Sequence, residues 1–369
     1  MKKELLTMLL VTSLVLGLCA LLYMGIYQWH YGPTEPAAQA TTGTVPPTTN
    51  STEPTTEPTT DPTTKPTDPT TKPTDPTTKP TTEPTEPTTE PTEPTTEPTP
   101  PPTTTVPVEV SLNARHAFVY DVTAGQFLFI HGDSTEAIAP ASITKLFTAY
   151  VALRVLPAQT EITVGNEILL IDVHSSLARI AVGDRLTAGQ LAMGMVIPSG
   201  NDASYTLAVA AGRVLAGDES LGFQAAIDRF MEEVNRYALE IGLINTHFVT
   251  PDGIDAEGHH TCMEDLLQIA LLAQNDPIIG PCMGYATYTF TAPDGKEFTW
   301  KNSNLLLQSA SDYFVACATG MKTGHTGKAG SCLMSSFTID GRQLIIGIFG
   351  CSASTYRYDD TLALYRLFR

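Results

Sequence analysis

Positive charge is scarce in this chain. Among 369 residues, 21 lysines and arginines face 39 aspartates and glutamates, leaving a net charge of -18. So acidic a balance argues against nucleic acid as a partner, because a phosphate backbone is gripped by clustered basic side chains. Paired cysteines are lacking too. Of six cysteines, five fall after residue 107: Cys262, Cys282, Cys317, Cys332 and Cys351. For a domain held outside the cytoplasm, an odd number argues against a complete disulfide framework. Cys332 and Cys351 sit in strand-like apolar runs and are expected as buried free thiols, since a free cysteine behaves as a small hydrophobe.

Residues 5–29, LLTMLLVTSLVLGLCALLYMGIYQW, carry no charge at all. About 20 apolar residues suffice to span a bilayer. The run is long for the apolar region of a cleaved signal peptide, usually about 7 to 15 residues. Lys2 and Lys3 precede it, which places the N-terminus in the cytoplasm and the rest of the chain outside. The small-residue site Ala38-Gln39-Ala40 lies well past the run, and Leu18 stands where lipidation of Cys19 would want a small residue. Residues 1–32 are therefore expected to form an uncleaved single-pass signal anchor in the cell membrane.

Residues 33–107 lack nearly everything a core requires. They repeat threonine, proline and acidic residues, as in TTDPTTKPTDPTTKP, and are expected to stay disordered or extended. Eleven acidic and three basic side chains favour extension. As polyproline II, these 75 residues would span roughly 230 Å, against about 50 Å for a flexible coil. Such a stretch suits a spacer that carries a domain away from the membrane through a thick wall. A plain stalk with no required length is the alternative.

From residue 108 to 369 the composition is that of a domain with a sizeable core. RHAFVYDVTAGQFLFIHG reads as two strands around a Thr123-Ala124-Gly125 turn. Thr187 and Gln190 are spaced as a capping box ahead of a short helix that Pro198 stops, and Thr261 with Glu264 forms a second candidate box. Phe223, Ile227, Phe230, Val234 and Tyr237 mark a helix that ends by Gly242. CLMSSFTIDGRQLIIGIFGC is a hairpin turning at Asp340-Gly341, and STYRYDDTLALYRLF closes the chain as an amphipathic helix. Strands at both ends with helices between them predict an α+β domain, its antiparallel sheet formed by pairing terminal segments.

In PASITKLFTAYVAL, Ser142 and Lys145 are three residues apart, in reach of each other on a helix. An ammonium among Ile143, Leu146, Phe147 and Tyr150 loses hydration, and that cost needs a reason. Either Lys145 snorkels to the surface while Ser142 caps the helix, or the pair is a nucleophile with its base. Two further motifs bear on the choice: Ser199-Gly200-Asn201 in IPSGNDAS, and Lys322-Thr323-Gly324 in GMKTGHTGKAG. Ser142 alone among the serines has a lysine three residues on, and Lys-Thr-Gly occurs once. Ser111-Leu112-Asn113 repeats the Ser-x-Asn pattern but precedes the nucleophile, beside the linker.

These three motifs, in this order and on these elements, resemble those of the penicillin-recognising serine enzymes. Their contexts, with THFVTPDGIDAEGHHT, look like the low-molecular-mass D-alanyl-D-alanine carboxypeptidases over residues 110 to 369. The resemblance implies a β-lactamase/transpeptidase-like fold and an acyl-enzyme at Ser142. It implies Lys145 as base, Ser199 relaying a proton to the leaving amine, and Asn201 orienting Lys145 and the substrate backbone. Lys322 and Thr323 would hold the terminal carboxylate of the substrate, and Gly324 would admit its backbone. The N–H groups of Ser142 and His325 would form the oxyanion hole. Burial and a second cation both lower a lysine pKa, and Lys322 is the expected second cation.

The substrate so implied is a peptidoglycan stem peptide, with β-lactam antibiotics as acylating inhibitors and no cofactor. A metal reading of His259 and His260 beside Asp255 and Glu257 matches no standard zinc spacing. A serine β-lactamase would need a glutamate-bearing loop, and nothing between Asn201 and Lys322 resembles one. A non-catalytic wall-peptide binder would be expected to have lost Ser142, Lys145 or Lys322. A D,D-endopeptidase differs only in substrate. Many carboxypeptidases of this type carry a second, β-rich domain and a C-terminal membrane helix; neither is expected here, the N-terminal anchor and spacer taking their place.

Overall fold

The structure, a computed structural model, describes residues 110–369; the expected anchor and the Thr-Pro linker lie outside them. Strand β1 (His116–Asp121) and β2 (Gln126–His131) form the predicted hairpin, with Gly125 in the left-handed region at φ +68°. A 3₁₀ turn over Ala141–Ile143 leads into α1 (Thr144–Val155). Short strands β3 (Glu161–Thr163) and β4 (Arg185–Thr187) pair with each other. Helices α2 (Ala188–Val196), α3 (Asn201–Ala216), α4 (Phe223–Glu240), α5 (Met263–Asn275) and α6 (Ile279–Met283) follow. Next comes a hairpin of β5 (Thr287–Thr291) and β6 (Glu297–Lys301). The chain ends with β7 (Ala318–Thr326), β8 (Gly330–Ile339), β9 (Arg342–Cys351) and α7 (Tyr356–Phe368).

The main sheet runs β2-β1-β9-β8-β7, antiparallel throughout. The first hairpin therefore pairs with the last strands of the chain, as expected, and β7 is left at one edge. Alternation along each strand divides its side chains between two cores. Phe118, Cys332, Met334, Ile345 and Phe349 pack with the helices that follow β2. Ala117, Val119, Leu333, Phe337, Ile346 and Ile348 face the other way and are covered by Tyr358 and Leu364 of α7. Each valine, leucine, isoleucine, methionine or phenylalanine among them contributes about 1.5–3 kcal/mol on burial. The Asp360 carboxylate pins the start of the domain to α7, accepting from the Asn113 N–H (2.8 Å), the Ala114 N–H (2.8 Å) and Asn113 Nδ2 (2.9 Å). Asn113 thus belongs to a structural clamp.

Helix α1 has no polar stripe. Thr144 through Ala149, with Val151 and Ala152, are all buried, as in a helix surrounded by others. The Thr187–Gln190 capping box is present at α2, with both reciprocal bonds made. The second box differs from expectation. Cys262 is the N-cap of α5, its Sγ accepting the Asp265 N–H at 3.4 Å, because Thr261 is drawn into a bridge with Ile138 and Glu264 bonds Ser134. The five cysteines after residue 107 are all free, and Cys332 and Cys351 are buried. Among the described residues no helix is long and apolar enough to cross a membrane.

Candidate active site

Three elements converge on the 3₁₀ turn that carries Ser142. Ala141, just before it, sits at φ +50°, a region a non-glycine residue holds only when its surroundings enforce it. Gly253, at φ +85°, lies so close that a Cβ there would collide with the Ala141 carbonyl. From β7, Gly324 also comes near: a Cβ would lie 3.0 Å from the Ala141 Cβ and 3.3 Å from the Ser142 nitrogen. The backbone that Gly324 admits here is the protein's own nucleophile turn.

Lys145, one turn along, has no exposure. Its Nζ donates to Ser142 Oγ at 2.7 Å and to the Asp252 carbonyl at 3.0 Å. Burial lowers its pKa to about 8, with Asp252 and Asp202 pulling the other way. Neutral lysine is therefore within reach near physiological pH, which a base for a serine hydroxyl requires.

Lys322 on β7 is also buried, its Nζ donating to the Thr323 carbonyl at 3.1 Å. Its pKa falls well below the usual lysine range through burial first, then the charges of Lys145 and Arg357. Burial is the largest cause at both lysines, and the repulsion between the two cations is mutual, so each disfavours the charged form of the other.

The third motif sits where α2 turns into α3. Ser199 is buried at φ +64°. Asn201 was expected to orient Lys145; instead its Nδ2 donates to Ser175 Oγ at 2.8 Å, and its N–H to the Ser176 carbonyl at 2.8 Å. The neighbouring Asp202 carboxylate, its pKa raised by burial, accepts from the Ala178 (2.7 Å) and Ile180 (3.2 Å) N–H groups. This motif therefore clamps the long segment between β3 and β4. Thr323 Oγ1 lies 2.6 Å from Ser303 Oγ. His325 is exposed, with Nδ1 3.1 Å from Ser331 Oγ.

Spacing in the sequence pointed to none of Asp252, Ser175, Ser303 or Arg357. Arg357, on α7, donates from Nη1 to the Gly324 carbonyl at 3.0 Å. Two of the residues in the metal reading that the spacing disfavoured have other tasks. His259 Nδ1 accepts the Val249 N–H, and Asp255 holds the β7–β8 turn through the Thr326 hydroxyl and the Lys328 N–H. Among the described residues no group of histidine, cysteine and carboxylate side chains is placed to hold a metal ion.

The sequence pattern of the D-alanyl-D-alanine carboxypeptidase family matches residues 102–353. The chain is 31% identical to the D-alanyl-D-alanine carboxypeptidase DacD of Escherichia coli, over 70% of this chain and 64% of that one. It is 29% identical to DacF of Bacillus subtilis, over 68% and 60% of the two chains. It therefore spans less than two thirds of either relative. A Streptomyces D-alanyl-D-alanine carboxypeptidase is 31% identical over 59% of this chain and 75% of its own. The crystal structure of a Streptomyces DD-transpeptidase superposes with a TM-score of 0.61 at 26% identity, covering 70% of this chain and 97% of that one. The α+β fold is thus β-lactamase/transpeptidase-like, and the chain belongs to the D-alanyl-D-alanine carboxypeptidase family.

Proposed function

We propose that this protein is a serine D,D-carboxypeptidase that removes the terminal D-alanine from peptidoglycan stem peptides. The observation that carries the reading is the 2.7 Å contact between Ser142 Oγ and a fully buried Lys145. Neutral Lys145 takes the hydroxyl proton as Ser142 Oγ attacks the carbonyl carbon of the scissile D-Ala-D-Ala bond. The oxyanion of the tetrahedral intermediate is held by the N–H groups of Ser142 and His325. Collapse breaks the C–N bond as Ser199 relays the proton from Lys145 to the leaving amine, which returns Lys145 to its neutral form, and D-alanine departs. Water then attacks the acyl-Ser142 ester, releasing the shortened peptide and restoring the hydroxyl.

The terminal carboxylate of the substrate meets Lys322 and Thr323. A carboxylate beside Lys322 favours its charged form and offsets the cost of burial, so substrate restores the cation that binds it. Asn201 holds the cleft wall through Ser175 and faces the substrate backbone. β-Lactam antibiotics would acylate the same Ser142. Residues 1–32 anchor the protein in the cell membrane by one pass, and residues 33–107 carry the 108–369 domain on the wall side.

The test is D-alanine release from a peptide ending in D-Ala-D-Ala, using the full chain and its Ser142→Ala variant. Release that disappears in the variant is the expected result. A folded wild-type chain that releases none would overturn the carboxypeptidase reading. Cleavage of cross-linked peptide or rapid β-lactam turnover would then identify an endopeptidase or a β-lactamase.

A further inference from the structure

His259 lies outside the three motifs, yet it touches both segments that build the nucleophile. It is 6% exposed and stacks on Phe248 with ring centroids 5.1 Å apart. Its Nδ1 faces the N–H groups of Val249 (3.0 Å) and Thr250 (3.3 Å). Backbone N–H groups only donate, so Nδ1 is unprotonated. Its Nε2 lies 3.1 Å from Thr144 Oγ1, and that hydroxyl donates to the Ala141 carbonyl at 2.9 Å. A hydroxyl has one proton. Because Thr144 gives it to Ala141, it must accept from Nε2. The network therefore assigns the neutral Nε2–H tautomer.

From this we infer that His259 is a positioning residue for the nucleophile, acting through Thr144 and the Ala141 carbonyl on the turn that aims Ser142 at Lys145. The inference rests on the serine–lysine reading above. The chain of contacts closes on itself. Residues Val249 and Thr250 begin the loop whose Pro251 carbonyl accepts the Thr148 hydroxyl at 2.8 Å and whose Asp252 carbonyl accepts Lys145 Nζ. Gly253 of the same loop abuts the Ala141 carbonyl. His259 thus ties the lysine's loop to the serine's turn, with Ala141 held at positive φ between them. A protonated imidazole would turn an Nδ1–H against two backbone donors. Burial, then the charges of His247 and His260 and of Lys328, hold the His259 pKa down to about 4, opposed by Asp255.

The experiment measures the acylation rate of Ser142 by a fluorescent penicillin in the full chain, with melting temperature followed in parallel. His259→Phe keeps the stacked ring and loses both polar contacts; Thr144→Val keeps the shape and loses the hydroxyl. Misplacing reacting groups by about 1 Å costs on the order of a hundredfold in rate, and a loss of that size is expected in each. His259→Gln, whose amide N–H can reach the Nε2 position, and Thr144→Ser should recover much of it. A merely structural histidine would leave acylation by the folded fraction of His259→Phe near wild type, whatever its melting temperature, and that result would overturn the proposal. A second measurement stands apart from activity: ¹⁵N shifts of labelled histidine should place the His259 proton on Nε2. A proton on Nδ1 would overturn the relay even in an active enzyme. Wild-type chain that is not acylated, with the proton on Nε2, would instead sink the serine-enzyme reading and, with it, any catalytic role for His259.

Discussion

An ammonium on a helix turn whose residues Thr144 through Ala149 are all buried costs the fold stability, and at Lys145 that cost can be read from pH. Its folded-state pKa is about 8, against 10.5 for a free lysine. Between these values the unfolded chain binds more protons than the folded one, so stability rises with pH across the window. Below pH 8 the full penalty applies, about 3 kcal/mol at 1.36 kcal/mol per unit. Lys145→Met should therefore abolish acylation and raise stability near neutral pH. The gain should shrink to nothing as pH approaches 10.5, where both chains carry a neutral side chain at this position. Urea titrations of both proteins from pH 6.5 to 10 would test this; parallel stability curves would refute it. Acylation by the wild type should in turn rise with pH through about 8, as the base loses its proton. Ser142 and Lys145 were legible because three residues on a helix fix a contact. Asp252 was not, since its contact with Lys145 spans 107 positions of sequence and no local period encodes it. The partner of Asn201 was hidden for the same reason: its motif was visible, but Ser175, 26 positions away, belongs to a loop without periodicity.

At the scale of elements, the sheet shows how two neighbouring strands share one volume. Gly347 on β9 stands directly across from Phe118 on β1. A Cβ at Gly347 would lie 2.5 Å from Phe118 Cε1 and 2.8 Å from Phe349 Cε2, so the missing side chain is what admits both rings. Gly347→Ala should cost about 1–3 kcal/mol by overpacking. In a domain of this size that lowers the melting temperature by roughly 2–4 °C per kcal/mol. The variant should keep its active-site chemistry, because Gly347 lies two strands from β7. A calorimetric Tm equal to wild type would refute the packing argument. Period-two alternation and the Asp340-Gly341 turn made these strands readable in advance. The α5 cap was not readable, because a long-range bridge between Ile138 and Thr261 outcompeted the local box.

For the molecule as a whole, pairing of the first hairpin with β9, and the Asp360 clamp on Asn113 and Ala114, tie the two ends of the described domain together. Under the proposed topology, the segment before that domain decides which compartment the site works in. Every charged residue from 33 to 107 stands immediately before a proline. Proteases that cut after lysine, arginine or acidic residues act poorly there, because proline's ring and missing N–H alter the scissile bond. The proposed topology therefore predicts a graded outcome on intact cells stripped of their wall. A protease of broad specificity should remove the 108–369 domain from the cell surface, while a Glu-specific protease should leave the Thr-Pro segment uncut even where it nicks the domain. Immunoblots against tags at residue 108 and at the N-terminus would read both cuts. If the domain resists the broad protease until the cells are lysed, it lies inside, and a D,D-carboxypeptidase working on the wall is ruled out. If it is removed while the N-terminal tag stays protected, the anchor crosses the membrane once with its lysines inside, and Ser142 faces the wall.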